Sequence, residues 1–381
     1  MPAGTVSPSP VDAPLEGAPP FQADSLLGTV VAGRYRISGH LASGGMAAVY
    51  VAEDTRDRRD VALKVLQPHL ARSPEAVRRF LCEGSIAGMI DHENVIRVLD
   101  HGGESSPCFI AMELLEGEGL FDRLRREGAL SPAEAVAILV QVCNGLEAAH
   151  RQGVVHRDLK PENVFLHGRG GAPAVVKILD FGVADGAHGE GSDAGLVVGT
   201  PEYLSPEQAC GKVTDARSDV YSVGIMAWRM LVGRMPFSAG SADDLIRMQA
   251  REPVPAVLSV RPDHGIPPAL AAVVARACAK DPSERPPSAQ ALGEAFAGAM
   301  GGTVRGPRPL PRPSFRPTRA ARRPPAAVPQ APPAVANVRG RALRIVAALA
   351  VVLALGLAGS TLFLHLRPVP PPGGAKAAPG R

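Results

Sequence analysis

The chain has 381 residues, 45% hydrophobic and 20% charged, with a net charge of +4 and five cysteines. That apolar fraction excludes wholesale disorder, and five cysteines without paired spacing exclude a disulfide or zinc scaffold. The charge is unevenly spread: the last acid is Glu294, and 13 basic residues follow Met300, so removing them from +4 leaves −9 for residues 1–300. An acidic body joined to a basic tail points to a tail that meets a polyanion or a membrane surface.

Residues 1–28 are rich in Pro, Ala and Gly and read as a disordered segment. No basic start leads into an apolar run, so they are not a secretory signal. Residues 29–299 alternate strand and helix patterns. Arg34-Tyr35-Arg36-Ile37, Ala48-Val49-Tyr50-Val51 and Val61-Ala62-Leu63-Lys64-Val65-Leu66 read as strands, and polar residues 53–60 as a hairpin connection. Ser73-Pro74-Glu75 starts a helix, with a capping Ser, a first-turn Pro and an acid at the positive dipole end. Gly84 and Gly88 lie inside it, each costing about 1 kcal/mol relative to Ala in an exposed helix. The helix therefore reads either as marginal, able to swing out of place, or as fixed by packing against the sheet. Ser131-Pro132-Ala133-Glu134 starts another with capping-box spacing, and Ala135, Ile138, Leu139, Val142, Leu146 and Ala149 follow at helical spacing. Early strands and later helices point to an α+β arrangement of two unequal lobes.

Residues 300–344 hold ten Pro, ten Arg and no acid: a low-complexity, partly extended linker. Residues 345–364 carry no charge, and Arg344 and Arg367 bracket them. Twenty helical residues span about 30 Å, the thickness of a bilayer's hydrocarbon core. The basic excess before this run places the preceding residues in the cytoplasm and leaves residues 365–381 as a short outer tail, too small for a sensor domain.

Four segments carry chemistry. Lys64 stands alone in an apolar strand, either on its open face or as a fixed cation for phosphates. Leu41-Ala42-Ser43-Gly44-Gly45-Met46-Ala47-Ala48-Val49 is either an ordinary hairpin or a backbone turn that approaches phosphates closely. His156-Arg157-Asp158-Leu159-Lys160-Pro161-Glu162-Asn163 sets charges among apolar residues, which if buried need partners or a ligand. Asp180-Phe181-Gly182 leaves the end of an apolar run, where an Asp is placed to hold a metal; taken alone, this segment and 156–163 read equally as solvated loops between strands.

In order and spacing these segments, with Gly199-Thr200-Pro201-Glu202-Tyr203-Leu204-Ser205-Pro206-Glu207-Gln208, resemble the protein-kinase signature set over about residues 34–298. The subgroup resembled is the bacterial eukaryotic-like Ser/Thr kinases with one membrane span. The resemblance implies a bilobal kinase-like fold, with a small β-rich N-lobe and a larger helical C-lobe, plus one C-terminal transmembrane helix. It implies transfer of the ATP γ-phosphoryl group to protein Ser/Thr hydroxyls with Mg2+, or Mn2+ as an alternative. By its motifs Lys64 pairs with the ATP phosphates and with Glu83, Asp158 handles the acceptor proton, and Lys160 contacts the γ-phosphate. Asn163 and Asp180 hold metal. Gly44 and Gly45 lie over the phosphates. Met112 is the gatekeeper, Glu113, Leu114 and Leu115 form the hinge, and Leu41, Val49, Ala62 and Leu166 sandwich the base. Thr200 braces Asp158, Glu207 and Arg285 form a buried pair, and Asp219 bonds the catalytic-loop backbone.

Two departures stand out. Ala42 and Ala47 replace glycines of the phosphate loop, so positive φ there would be strained and ATP binding weakened. The activation segment offers Ser192 for autophosphorylation near Arg157, with Glu190 and Asp193 as a constitutive alternative. A membrane-anchored pseudokinase scaffold is the competing reading. Expected partners are protein substrates, the chain itself (alone or as a dimer), and the membrane through residues 345–364. The basic linker adds anionic lipid, a polyproline-binding partner or a mere spacer; nucleic acid is disfavoured.

Overall fold

The computed structural model describes residues 23–103, 107–168, 174–181 and 200–301. Gly182, Glu190, Ser192, Asp193 and Gly199, the linker 302–344 and the apolar run 345–364 lie outside them.

The N-terminal part is a six-stranded sheet in the order β1-β2-β3-β4-β6-β5. The strands are β1 (Val30–Val31), β2 (Tyr35–Ser43), β3 (Ala47–Asp54), β4 (Arg59–Leu66), β5 (Val98–Gly102) and β6 (Phe109–Glu113). The β3–β4 ladder runs on to Glu53↔Asp60 and Asp54↔Arg59, so the connection expected over residues 53–60 shrinks to residues 55–58. Arg58 takes a positive φ of 61° in this turn.

Helix α1 (Pro74–Met89) packs on this sheet between β4 and β5, and the Ser73 side chain accepts from the Ala76 N–H as its cap. Its two glycines, alike in sequence, differ in space. A Cβ on Gly84 would lie 3.0 Å from Ile110 Cγ1 and 3.2 Å from His101 Cβ, whereas the nearest atom to one on Gly88 is Val98 Cβ at 3.9 Å. Gly84 is therefore a close-approach point that seats the helix on β6, not a weak spot. Ile110 is the β6 partner of Lys64, so this seating sets the distance between the helix and the lysine's strand.

The remaining part is helical around a small sheet, β7 (Gly117–Gly119), β8 (Val164–His167) and β9 (Val175–Ile178). The helices are α2 (Leu120–Glu127), α3 (Pro132–Arg151), α4 (Pro206–Ala209), α5 (Ala216–Val232), α6 (Ala242–Arg251), α7 (Val257–Val260), α8 (Pro268–Ala277) and α9 (Ala289–Ala299). Ser131 caps α3 through the Glu134 N–H, and the six apolar residues spaced along α3 are all buried. α5 is buried almost all round, as expected for the central helix of a bundle. Arg285 meets both carboxylate oxygens of Glu207 at 2.7 and 2.8 Å, the pair that the resemblance implied. Removing one partner of such a pair costs about 3–5 kcal/mol, because the other charge stays buried. The two parts are tied where Ile178 donates to the Asn94 carbonyl and Ile96 donates to that of Ile178.

Gly84→Ala and Gly88→Ala are expected to act in opposite directions. Helix propensity makes Gly88→Ala stabilising by about 1 kcal/mol. Crowding against Ile110 makes Gly84→Ala destabilising by about 1–3 kcal/mol. Urea unfolding checks both; a stabilising Gly84→Ala would refute the close-approach reading.

Candidate active site

The sheet register sets Lys64 between Val49 of β3 and Ile110 of β6. Its side chain is 7% exposed, which rejects the open-face reading. The ammonium donates to Glu83 Oε1 at 2.6 Å and to Asp180 Oδ1 at 3.0 Å. Burial alone would lower the Lys64 pKa; the Asp180 and Glu83 carboxylates outweigh it and hold the group above its usual value. Burial, reinforced by Asp180, pushes Glu83 up despite Lys64. Burial acts the same way on Asp180, but Lys64 prevails and lowers it. With Glu83 pushed up to about 8, the Lys64 ammonium is balanced chiefly by Asp180 near neutral pH.

The segment holding Asp158 is built from its backbone outward. Asp219 at the start of α5 accepts from the His156 and Arg157 N–H groups, each at 2.9 Å. Arg157 has a φ of 64°, a conformation that costs a non-glycine residue, and it is fixed at both ends. Its N–H is on Asp219, and its carbonyl accepts from Gln208 Nε2 at 2.7 Å. Burial would raise the Asp219 pKa; the bond from His150 Nε2 at 2.7 Å holds it below the usual range. Asp158 then accepts from the Thr200 N–H at 2.9 Å through Oδ1 and meets Lys160 Nζ at 2.7 Å through Oδ2. Lys160 also donates to the Thr200 hydroxyl. The Asp158 side chain keeps 26% exposure while Lys160 keeps 4%, so the carboxylate is the group a solvent-side hydroxyl reaches.

Asn163 links this segment to Asp180. Its Nδ2 donates to the Asp158 carbonyl at 2.9 Å, and its own carbonyl accepts from the Leu179 N–H at 2.8 Å. Its Oδ1 is buried and has no hydrogen-bond partner. An orphaned hard oxygen on a residue bonded to Leu179, the chain neighbour of the ionised Asp180, fits a small divalent cation. No group of three or more His, Cys, Asp or Glu able to hold a metal stands among the described residues. That suits an ion such as Mg2+, which takes few protein ligands and completes its shell with phosphates and water.

Above these groups lies an apolar cluster that includes Val49, Ala62, Met112 and Leu115, with Leu41 and Leu114 packed against it. Leu166 is a correction: it belongs to the large helical core, and Phe165 is the β8 residue in the cluster with Val49 and Ala62. Successive strand side chains face opposite ways, so an error of one residue selects the wrong face. The Glu113 carboxylate is engaged by Lys177 Nζ at 2.6 Å and the Arg97 N–H at 2.9 Å, leaving ligand recognition there to the backbone.

Gly44 and Gly45 turn the chain between β2 and β3, with the Gly44 N–H donating to the Ala47 carbonyl at 2.9 Å. The strain expected at Ala42 and Ala47 is absent. Both lie in extended strand, and Ala32, Arg58 and Arg157 are the non-glycine residues of positive φ among the described residues. His150 and Lys177 had no motif to announce them, and Gln208 stood in the quoted segment 199–208 without a role. Only Lys177, a lone lysine in an apolar run like Lys64, carried a signal.

Replacing Ala42 and Ala47 together by Gly is expected to cost about 0.5–1 kcal/mol at each site through backbone entropy, and to leave ATP affinity unchanged. Thermal unfolding and calorimetric titration with ATP check this; tighter ATP binding would contradict the unstrained loop.

A family described as protein kinase domain matches residues 35–297. The chain is 41% identical over 271 residues to the serine/threonine-protein kinase Pkn1 of Myxococcus xanthus, covering 70% of this chain and 38% of that protein. It is 40% identical over 274 residues to pkn3 of Myxococcus xanthus, covering 70% of this chain and 50% of that one. To PknB of Mycobacterium tuberculosis it is 38% identical over 260 residues, covering 66% and 40%. The chain thus spans half or less of the length of these relatives. Among solved structures, the PknI kinase domain of Mycobacterium tuberculosis superposes with a TM-score of 0.57 at 27% identity, covering 72% of this chain and all of that one. The match over residues 35–297, on a β-rich lobe joined to a helical lobe, shows that this chain belongs to the protein kinase family.

Proposed function

We propose that the chain is an ATP-dependent protein-serine/threonine kinase. The observation that carries this is the meeting, in one cleft, of a carboxylate-clamped Lys64 and a braced, partly exposed Asp158, joined through Asn163 and Asp180. No role in the constellation is vacant, which disfavours the pseudokinase scaffold.

The chain's own residues divide the work. Lys64, held by Glu83, offers a fixed cation to the α- and β-phosphates of ATP. The apolar cluster from Val49 to Phe165 holds the adenine. Asp158 orients a Ser or Thr hydroxyl and takes its proton as the oxygen bonds to the γ-phosphorus and the bond to the β,γ-bridging oxygen breaks, releasing ADP. Lys160, already on Asp158 and Thr200, offsets charge on the transferred group. Asn163 Oδ1 and Asp180 would hold Mg2+, which when bound neutralises charge on the phosphates. Protein substrates and the chain itself, with Ser192 as an acceptor, are the proposed targets.

Residues 345–364 are proposed as a single membrane span, with the kinase domain on the cytoplasmic side and the basic linker against anionic lipid. Support is the uncharged run and its flanking arginines. Among the described residues no helix is long and apolar enough to cross a membrane.

Two outcomes are expected. Asp158→Asn lowers transfer of labelled phosphate to a generic basic protein by about 100-fold or more, with binding of ATP retained. Equal transfer by the variant would refute the assignment. In alkaline extraction of expressing cells the full chain stays with the membranes, and a chain lacking residues 345–364 is released; identical partitioning would refute the span.

A further inference from the structure

Outside the cleft, three polar side chains of the helical lobe form a hydrogen-bond chain whose direction is fixed by its first member. Lys280 is a donor only. Its Nζ reaches Tyr221 Oη and the Gln249 carbonyl, each at 2.8 Å. Tyr221 accepts from Lys280 and donates to Gln249 Oε1 at 2.7 Å. That orients the Gln249 amide, whose Nε2 then donates to the Glu202 carbonyl. Tyr221 and Gln249 are fully buried.

Stability is a poor explanation for this lysine. Its ammonium lies 5.1 Å from the ring centroids of Tyr221 and Phe237, while Arg285, another cation, lies 5.0 Å from that of Tyr221. The carboxylate that acts on it, Glu252, does so through its field, as the smallest of the influences on the group. Burial brings its pKa down to about 8. A partly buried cation that Glu252 reaches only through its field, and that Arg285 opposes, keeps a burial cost that ring contacts only partly offset.

The far end of the chain is where function lies. Glu202 belongs to the turn 201–203, closed by the Tyr203 N–H on the Thr200 carbonyl at 3.0 Å. Thr200 is the residue whose N–H and hydroxyl hold Asp158 and Lys160. A peptide that presents its hydroxyl to Asp158 must lie along this turn. We propose that Lys280, acting through Tyr221 and Gln249, is a positioning residue for the turn 200–203 and so governs binding of the protein acceptor rather than of ATP. This rests on the kinase reading above.

Tyr221→Phe in the full chain removes only the hydroxyl at the centre of the relay, and Lys280→Met removes its cation while keeping the stem. Each variant is expected to raise KM for a serine-containing peptide about five-fold, the worth of one buried hydrogen bond, with KM for ATP unmoved. The double variant is expected to be no worse than either single one, since both cut one path. Hydrogen exchange of the amides at residues 202–205 is expected to quicken in Tyr221→Phe. Unchanged exchange with unchanged peptide KM would overturn the proposal, and so would an equal rise in both KM values. If the unmodified chain transfers no phosphate, the kinase reading falls, while the exchange rates still decide the relay: faster exchange sustains it and unchanged exchange overturns it.

Discussion

The structure depends on keeping one ammonium out of water. Lys64 sits in the middle of a sheet, and a charge there is sustained only by partners of opposite sign. Those partners come from two distant places, Glu83 on α1 and Asp180 after β9, so the ion cluster reports whether helix, sheet and helical lobe are in register. The approach of α1 at Gly84 and the bonds between Asn94, Ile96 and Ile178 are the means by which apolar packing and backbone pairing bring them there.

A second layer holds the acceptor side. Asp219 is buried and charged, and it spends its oxygens on backbone amides and His150 rather than on a cationic side chain alone. Carboxylate bonds to backbone N–H groups are strong and directional, which is what a strained residue such as Arg157 requires. The geometry at Asp158 is therefore fixed by α5 through Asp219 and by Thr200, leaving the carboxylate partly open to solvent.

Much of this was legible in the sequence where chemistry forces a residue type. Lys64, Asp158 and Asp180 stand out as charged groups amid apolar runs, and with Asn163 they take their roles from the order and spacing that resemble the protein-kinase signature set. Ser73 and Ser131 stand out because helix starts need caps. The rest was hidden for physical reasons. Gly84 and Gly88 have equal propensity, and only the sheet beneath one of them tells them apart. Ala42 and Ala47 look strained only if the loop takes positive φ, which depends on a register the sequence does not display. Phe165 and Leu166 differ by a face, a choice made by strand pairing. His150 and the Lys280 relay join residues far apart in the chain, a closeness no local pattern encodes.

The most direct measurement is mapping of phosphorylated residues by mass spectrometry after the purified chain is incubated with ATP and Mg2+, beside a Lys64→Met chain treated alike. The account predicts phosphate on serine and threonine in the unmodified chain, and none in the variant. Phosphate on tyrosine alone, or equal incorporation by both chains, would contradict it.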